Sequence, residues 1–246
     1  MSGHSKWSTI KHKKGAKDVQ RAKIFAKLAR GIEVAARDGG GDISANAALA
    51  QAVAKAKAAE MPNDNVDRAI KRGTGEAGAG HYDEIWYEGY APGGVAVYVQ
   101  ALTDNRNRAA SDIRSTFTRN GGNLGEPGSV AYLFVQRGYL LATGPEDEVM
   151  LAALEAGAED VRPGEVQHEV ITAPGDLGKV VAALRGAGIA IGDPEVTRLP
   201  TMSIPLDEAA ARSVLRLIDA LEDLDDVQTI YANFDISDEI MAAVAG

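Results

Sequence analysis

The chain has 246 residues, 45% apolar and only 5% aromatic, with no cysteine and a net charge of −9. That length suits one large domain or two to three small ones with modest, Ala-rich cores. Lack of cysteine excludes disulfides, thiolate metal sites and cysteine nucleophiles, and no run reaches the eighteen or so apolar residues of a membrane span.

Residues 1–17 are polar and basic without an apolar stretch, unlike a secretory signal, so a cytoplasmic protein is expected. They read as an extended arm in which Lys6, Lys11, Lys13, Lys14 and Lys17 are interleaved with Trp7, His4 and His12. Lysines neutralise phosphates, and Trp7 is of a type that stacks on exposed bases. The plainer reading is a solvated tail with Trp7 packed on the domain behind it. Residues 1–37 together hold ten Lys/Arg against Asp18 and Glu33, a charge of +8, and the remainder carries −17. A basic segment on an acidic body points to localised polyanion binding.

A first helix is predicted from Asp18 as N-cap to about Asp38, stopped by Gly39-Gly40-Gly41. Phe25, Leu28, Ile32, Ala35 and Ala36 share one face. Lys23, Lys27, Arg30 and Arg37 share the opposite one, as a basic stripe turned outward. A second helix is expected from Ser44 to about Glu60, with Leu49 and Val53 inward, broken by Met61-Pro62-Asn63. A third starts with Asp64 as N-cap, carries Arg68, Lys71 and Arg72, and ends at Gly73. The short turn between these two admits a helix-turn-helix reading, although no pattern at the third helix's start reads base edges. Residues 74–80 read as a linker.

Strands follow at 84–90 and 95–103, then a helix at 106–120, a Gly-rich loop at 121–125 and a strand at 130–135. From Gly138 a β-α-β-β-α-β order is expected, with strands at 138–143, 158–162, 166–173 and 190–199 and helices at 146–156 and 175–187. A helix at 206–222 and a strand at 226–235 would return to the earlier sheet. The fold class is thus α+β multidomain: an all-helical N-terminal domain, then two ferredoxin-like α+β domains, the third inserted into the second. The division is a basic helical domain over 1–80, an α+β domain from 81–136 plus 203–246, and an inserted domain over 137–202.

Asp104-Asn105-Arg106-Asn107-Arg108 falls where a strand meets a helix start. Backbone N–H groups, the helix dipole, Arg106 and Arg108 could there hold an anion, or the arginines could pair with nearby acids. Gly122-Asn123-Leu124-Gly125 has the letters of a GxxG loop, in the wrong setting for that module. The clusters Glu146-Asp147-Glu148 and Asp223, Asp225, Asp226 read as helix-start or solvated charges before they read as Mg²⁺ ligands. His4, His12, His81 and His168 lack metal-ligand spacing. No nucleophile elbow, phosphate loop, dinucleotide fingerprint or zinc-protease motif occurs. No enzyme activity, cofactor or metal is expected.

Gly3-His4-Ser5-Lys6-Trp7, Ile10-Lys11-His12-Lys13-Lys14 and Phe25-Ala26-Lys27-Leu28 closely resemble the N-terminus of the YebC/PmpR family. Met61-Pro62-Asn63-Asp64-Asn65, Tyr87–Gly94, Leu102–Arg108 and Gly121–Gly125 are similar to that family's later motifs, in the same order. The resemblance is specific over 1–135 and looser over 138–200. Gly31 stands where the family commonly has Glu, and Ile43-Ser44 where a proline is common. The resemblance implies a three-domain cytoplasmic protein, usually described as a DNA-binding transcriptional regulator; some relatives are described as translational activators at the ribosome. The expected partner is therefore DNA, or ribosomal or transfer RNA, with protein partners for the acidic domains and no membrane.

Overall fold

The computed structural model describes residues 18–76 and 81–245. Lys6, Trp7, Lys11, His12, Lys13, Lys14 and Lys17, and with them the expected arm, lie outside the described residues. Helices α1 (Asp18–Gly39), α2 (Ala47–Ala58) and α3 (Asn63–Gly73) close around Ile32, Leu49, Val53, Met61 and Val66. The turn between α1 and α2 is organised by Asn46, which is buried. Its Oδ1 accepts from Leu49 N–H at 3.0 Å, and its Nδ2 donates to the carbonyls of Ala35 and Gly40, both at 2.8 Å. One amide thus caps the end of one helix and the start of the next. Ser44, the expected start, is committed instead to a turn in which Asp42 Oδ1 accepts from its N–H and hydroxyl at 2.9 and 2.7 Å. α3 begins one residue before Asp64, on the carbonyl of Pro62, which accepts from Asn65 N–H at 2.9 Å. Its far end presses on α1: a Cβ on Gly73 would lie 2.3 Å from Glu33 O and 2.8 Å from Ala36 Cβ.

Strands β1 (Asp83–Tyr90) and β2 (Ala96–Thr103) form an antiparallel hairpin with Tyr87 opposite Val99. Its turn uses Gly93 and Gly94 at φ 79° and 76°, which only glycine adopts easily. Then come α4 (Arg106–Arg119) and β3 (Asn123–Leu124), the latter paired with the end of β1.

The next seven elements, five strands of a separate sheet and two helices, are β4 (Phe134–Thr143), α5 (Glu146–Glu155), β5 (Asp160–Arg162), β6 (His168–Thr172), α6 (Leu177–Gly186), β7 (Ala190–Ile191) and β8 (Glu195–Pro200). Its order is β5-β6-β4, with β7 and β8 sharing the other edge of β4. All pairings are antiparallel. Two expectations differ here. The strands expected at 130–135 and 138–143 become a 3-10 turn at 131–133 and one ten-residue strand, β4. Gly138 does not break it; a Cβ there would lie 2.2 Å from Thr172 Oγ1, so the glycine serves close cross-strand approach. The strand expected at 190–199 is split by Gly192-Asp193-Pro194, and Pro194 has no N–H to give a ladder.

The chain then returns through β9 (Ile204–Pro205), α7 (Glu208–Glu222), β10 (Val227–Ala232), β11 (Phe234–Asp235) and α8 (Asp238–Ala245). β10 adds to β2, giving the order β10-β2-β1-β3. The core on one face of this sheet joins Val97 and Val99 to Ile113 and Phe117 of α4 and Leu217, Ile218 and Leu221 of α7. On the other face Trp86, Tyr98 and Tyr231 meet Phe134 of β4, with Trp86 and Tyr98 stacked at 4.5 Å and Tyr98 and Phe134 at 5.9 Å. Arg198 of β8 closes the layer with its guanidinium 5.0 Å from the Trp86 ring centre.

Candidate nucleic-acid interface

Half of the basic stripe of α1, Lys27 and Arg30, does not face outward. Lys27 Nζ donates to the Glu222 carbonyl at the end of α7. Burial lowers its pKa to about 8, against the opposing pull of Glu222, Asp225 and Asp223. Arg30 donates to the Asp225 carbonyl at 2.6 Å, lies 3.1 Å from Asp226 Oδ1, and covers the Tyr82 ring at 5.4 Å. Arg37, still exposed, reaches the Tyr82 carbonyl at 2.8 Å and Asp38 at 2.8 Å. Helical periodicity tells which cations share a face and not what that face meets. Here it meets the middle domain. Lys23 alone of the four stands exposed with no ion pair among the described residues.

Asp226 is where this docking converges. Its carboxylate is buried and takes Arg30 from α1, Arg108 at 3.0 and 3.2 Å from α4, and the Thr103 hydroxyl at 3.0 Å from β2. Arg108 also pairs with Asp104 at 2.7 Å, and the bonds to Asp226 and Asp104 hold its guanidinium above its usual pKa. Arg106 makes a two-pronged pair with Asp83 at 2.7 and 2.9 Å, which holds that carboxyl below the usual range. Asn105 caps α4 by accepting from Arg108 N–H at 3.1 Å. The expected anion cradle at 104–108 is thus occupied by the protein's own carboxylates. Beside it lies a cleft of about 510 Å³ lined by Lys23, Arg30 and Arg108 but also by Asp104, Asp112, Asp223, Asp225 and Asp226. Its lining is net negative, which disfavours phosphate.

Of the glycines at 121–125, Gly121 takes a left-handed turn at φ 76°, and Gly122 and Gly125 serve packing. A Cβ on Gly122 would lie 2.7 Å from Tyr90 O, and one on Gly125 2.6 Å from Ser129 Oγ. The following loop is held by Glu88, a buried carboxylate within the Tyr87–Gly94 motif that is not among the candidate site residues. Burial opposes its charge, but N–H groups of Gly128, Val130 and Ala131 donate to it at 2.7, 2.7 and 2.8 Å and hold its pKa below the usual value. Alternation in β1 could have flagged it as an acid on an inward face.

On α3, Arg68 and Lys71 are exposed and Arg72 lies 3.1 Å from Glu33 Oε2. Arg68 Nε donates to the Asp64 carbonyl at 3.1 Å and its Nη2 to Asn65. Asp64 and Asp67 are exposed at the start of this helix. Glu146, Asp147 and Glu148 occupy the first turn of α5, where helix dipoles favour acids. His168 is buried, with Nε2 at 2.9 Å from the Gly144 carbonyl. Among the described residues no group of three His, Asp or Glu is placed to hold a metal, and no helix is long and apolar enough to cross a membrane.

Comparison with known proteins bears on the whole chain. Residues 5–76 match the model of the TACO1/YebC protein N-terminal domain, and residues 82–234 that of the TACO1/YebC second and third domain. A "Probable transcriptional regulatory protein" of Rubrobacter xylanophilus is 59% identical over 100% of both chains. One of the same name from Acidothermus cellulolyticus is 55% identical over 99% of this chain and 100% of its own. The crystal structure of a conserved hypothetical protein from Aquifex aeolicus superposes with a TM-score of 0.78 at 46% identity, covering 93% of this chain and 97% of that one.

Proposed function

The chain belongs to the TACO1/YebC family, and from that premise we propose that it is a cytoplasmic, non-enzymatic regulator of gene expression that binds nucleic acid. The observation that carries the reading is charge placement: +8 over residues 1–37 against −17 elsewhere. Within the described part, Arg68 and Lys71, together with Lys23 at the edge of the acidic cleft, extend that charge as exposed cations on the helical domain. The acidic domains are repelled by phosphate, so contact is confined to the helical end and the other surfaces are left for protein partners.

The first form of the reading is a DNA-binding transcriptional regulator, in keeping with the relatives' names. It predicts a duplex mobility shift at low salt that weakens steeply as salt rises; no shift at low salt removes it. A second form, an RNA-binding translation factor on the ribosome, has its own support. α3, the second helix of the helix-turn-helix that the sequence admits, opens with exposed Asp64 and Asp67 and ties Arg68 back to its own first turn. Acids at that position repel a groove's phosphates. This form predicts co-sedimentation with ribosomes, lost on charge reversal at Lys11, Lys13 and Lys14. In-cell crosslinking separates the two by whether DNA or ribosomal RNA is recovered.

A further inference from the structure

α1 and α3 touch closely where Gly73 meets Glu33 and Ala36. About two helical turns away they leave a groove of about 270 Å³. Phe25, Ala26, Ala29 and Met61 form its apolar part, and Asn65, Arg68 and Arg72 line its α3 side. Those three recur at i, i+3 and i+7, so they form one stripe along the helix. The Arg21 guanidinium lies over the Phe25 ring at 5.5 Å. Arg21 and Arg72 are paired with Glu60 and Glu33, each at 3.1 Å, but among the described residues no carboxylate lines the groove itself, whereas five aspartates line the larger cleft.

We propose that this groove receives one unpaired base of a single-stranded nucleic acid, with an adjoining phosphate on Arg68, whose own partners are the uncharged Asp64 carbonyl and Asn65 side chain. An aromatic and aliphatic floor beside guanidinium groups is the chemistry that stacks a base and neutralises its backbone. The volume lies just under the roughly 300–1,000 Å³ of pockets for whole ligands, so it suits a single ring system. A duplex keeps its bases stacked inside and cannot fill the groove without extruding one. The inference rests on the nucleic-acid reading above and narrows its ligand to single strands.

The test is fluorescence anisotropy with the full chain, using a labelled oligonucleotide of roughly 12 nucleotides, single-stranded or annealed to its complement. Ala26 is exposed, so Ala26→Phe fills the groove without disturbing the core or the charge. It is expected to weaken single-strand binding about tenfold at an unchanged salt slope and to leave the duplex unaffected. Ala26→Leu, a smaller filling, should fall between. Arg68→Gln should lower the salt slope by about one for the single strand. Single-strand affinity that survives Ala26→Phe, or an equal loss on the duplex, overturns the groove assignment and leaves the broader reading standing. If the unmodified chain binds neither oligonucleotide, both readings fall.

Discussion

Asp226 shows how one buried carboxylate can hold three parts of a chain together. It joins Arg30 of the helical domain, Arg108 of α4 and Thr103 of β2. Asp226→Ala removes one acceptor from two guanidinium groups and a hydroxyl, leaving Arg30 on the Asp225 carbonyl, Arg108 on Asp104 and Thr103 on the Asn105 carbonyl. The expected cost in urea unfolding is about 2–3 kcal/mol, below the figure for a fully buried pair because Arg108 is half exposed. A midpoint unchanged from the parent would contradict the assignment. Lys27 makes a prediction in pH. Its folded pKa of about 8 lies below the ordinary 10.5, so the unfolded chain binds more protons between those values. Stability must therefore rise with pH across that window through this group. Compared with Lys27→Met, the parent should gain stability between about pH 8 and 10.5; parallel curves would show that Lys27 is not desolvated.

At the scale of elements, two glycines in helices separate close packing from chance. Gly73 has no room for a Cβ against Glu33 O, so Gly73→Ala should cost about 1–3 kcal/mol by forcing α3 off α1. At Gly31 a Cβ would meet only Gln228 Oε1 at 4.0 Å, so Gly31→Ala should stabilise by up to about 1 kcal/mol through helix propensity. Thermal melts of the two variants should move in opposite directions. The helices and most strands are legible in the sequence, because their apolar spacing answers to local rules. Ile32, Leu49, Val53 and Val66 pack as that spacing requires. Tertiary choices are not legible in the same way. Asn46 replaces Ser44 as cap because its amide also reaches the end of α1. Gly138 reads as a break and is instead a point of contact with Thr172. At the candidate site the motif at 104–108 is visible, but its partners Asp83 and Asp226 are distant in sequence, and Asp226, read as a solvated charge, is buried against Arg108.

At the scale of the molecule, the cations of the basic end fall into two sets. Lys27 and Arg30 spend their charge on the turn at 222–226, fixing the helical domain to the sheet through α1. Lys23, Arg68 and Lys71 remain exposed, beside whatever residues 1–17 contribute. The acidic domains oppose phosphate everywhere else, which would orient a bound strand across the helical end. The salt dependence of oligonucleotide binding tests this division most directly, since each phosphate neutralised by the protein adds just under one to the slope of log affinity against log salt. The triple variant Lys23→Gln, Arg68→Gln, Lys71→Gln is expected to lower the slope by roughly two to three. Lys27→Gln with Arg30→Gln should leave the slope as it is while lowering the unfolding midpoint. The opposite pattern, with the slope carried by Lys27 and Arg30 and untouched by the exposed three, would contradict the account.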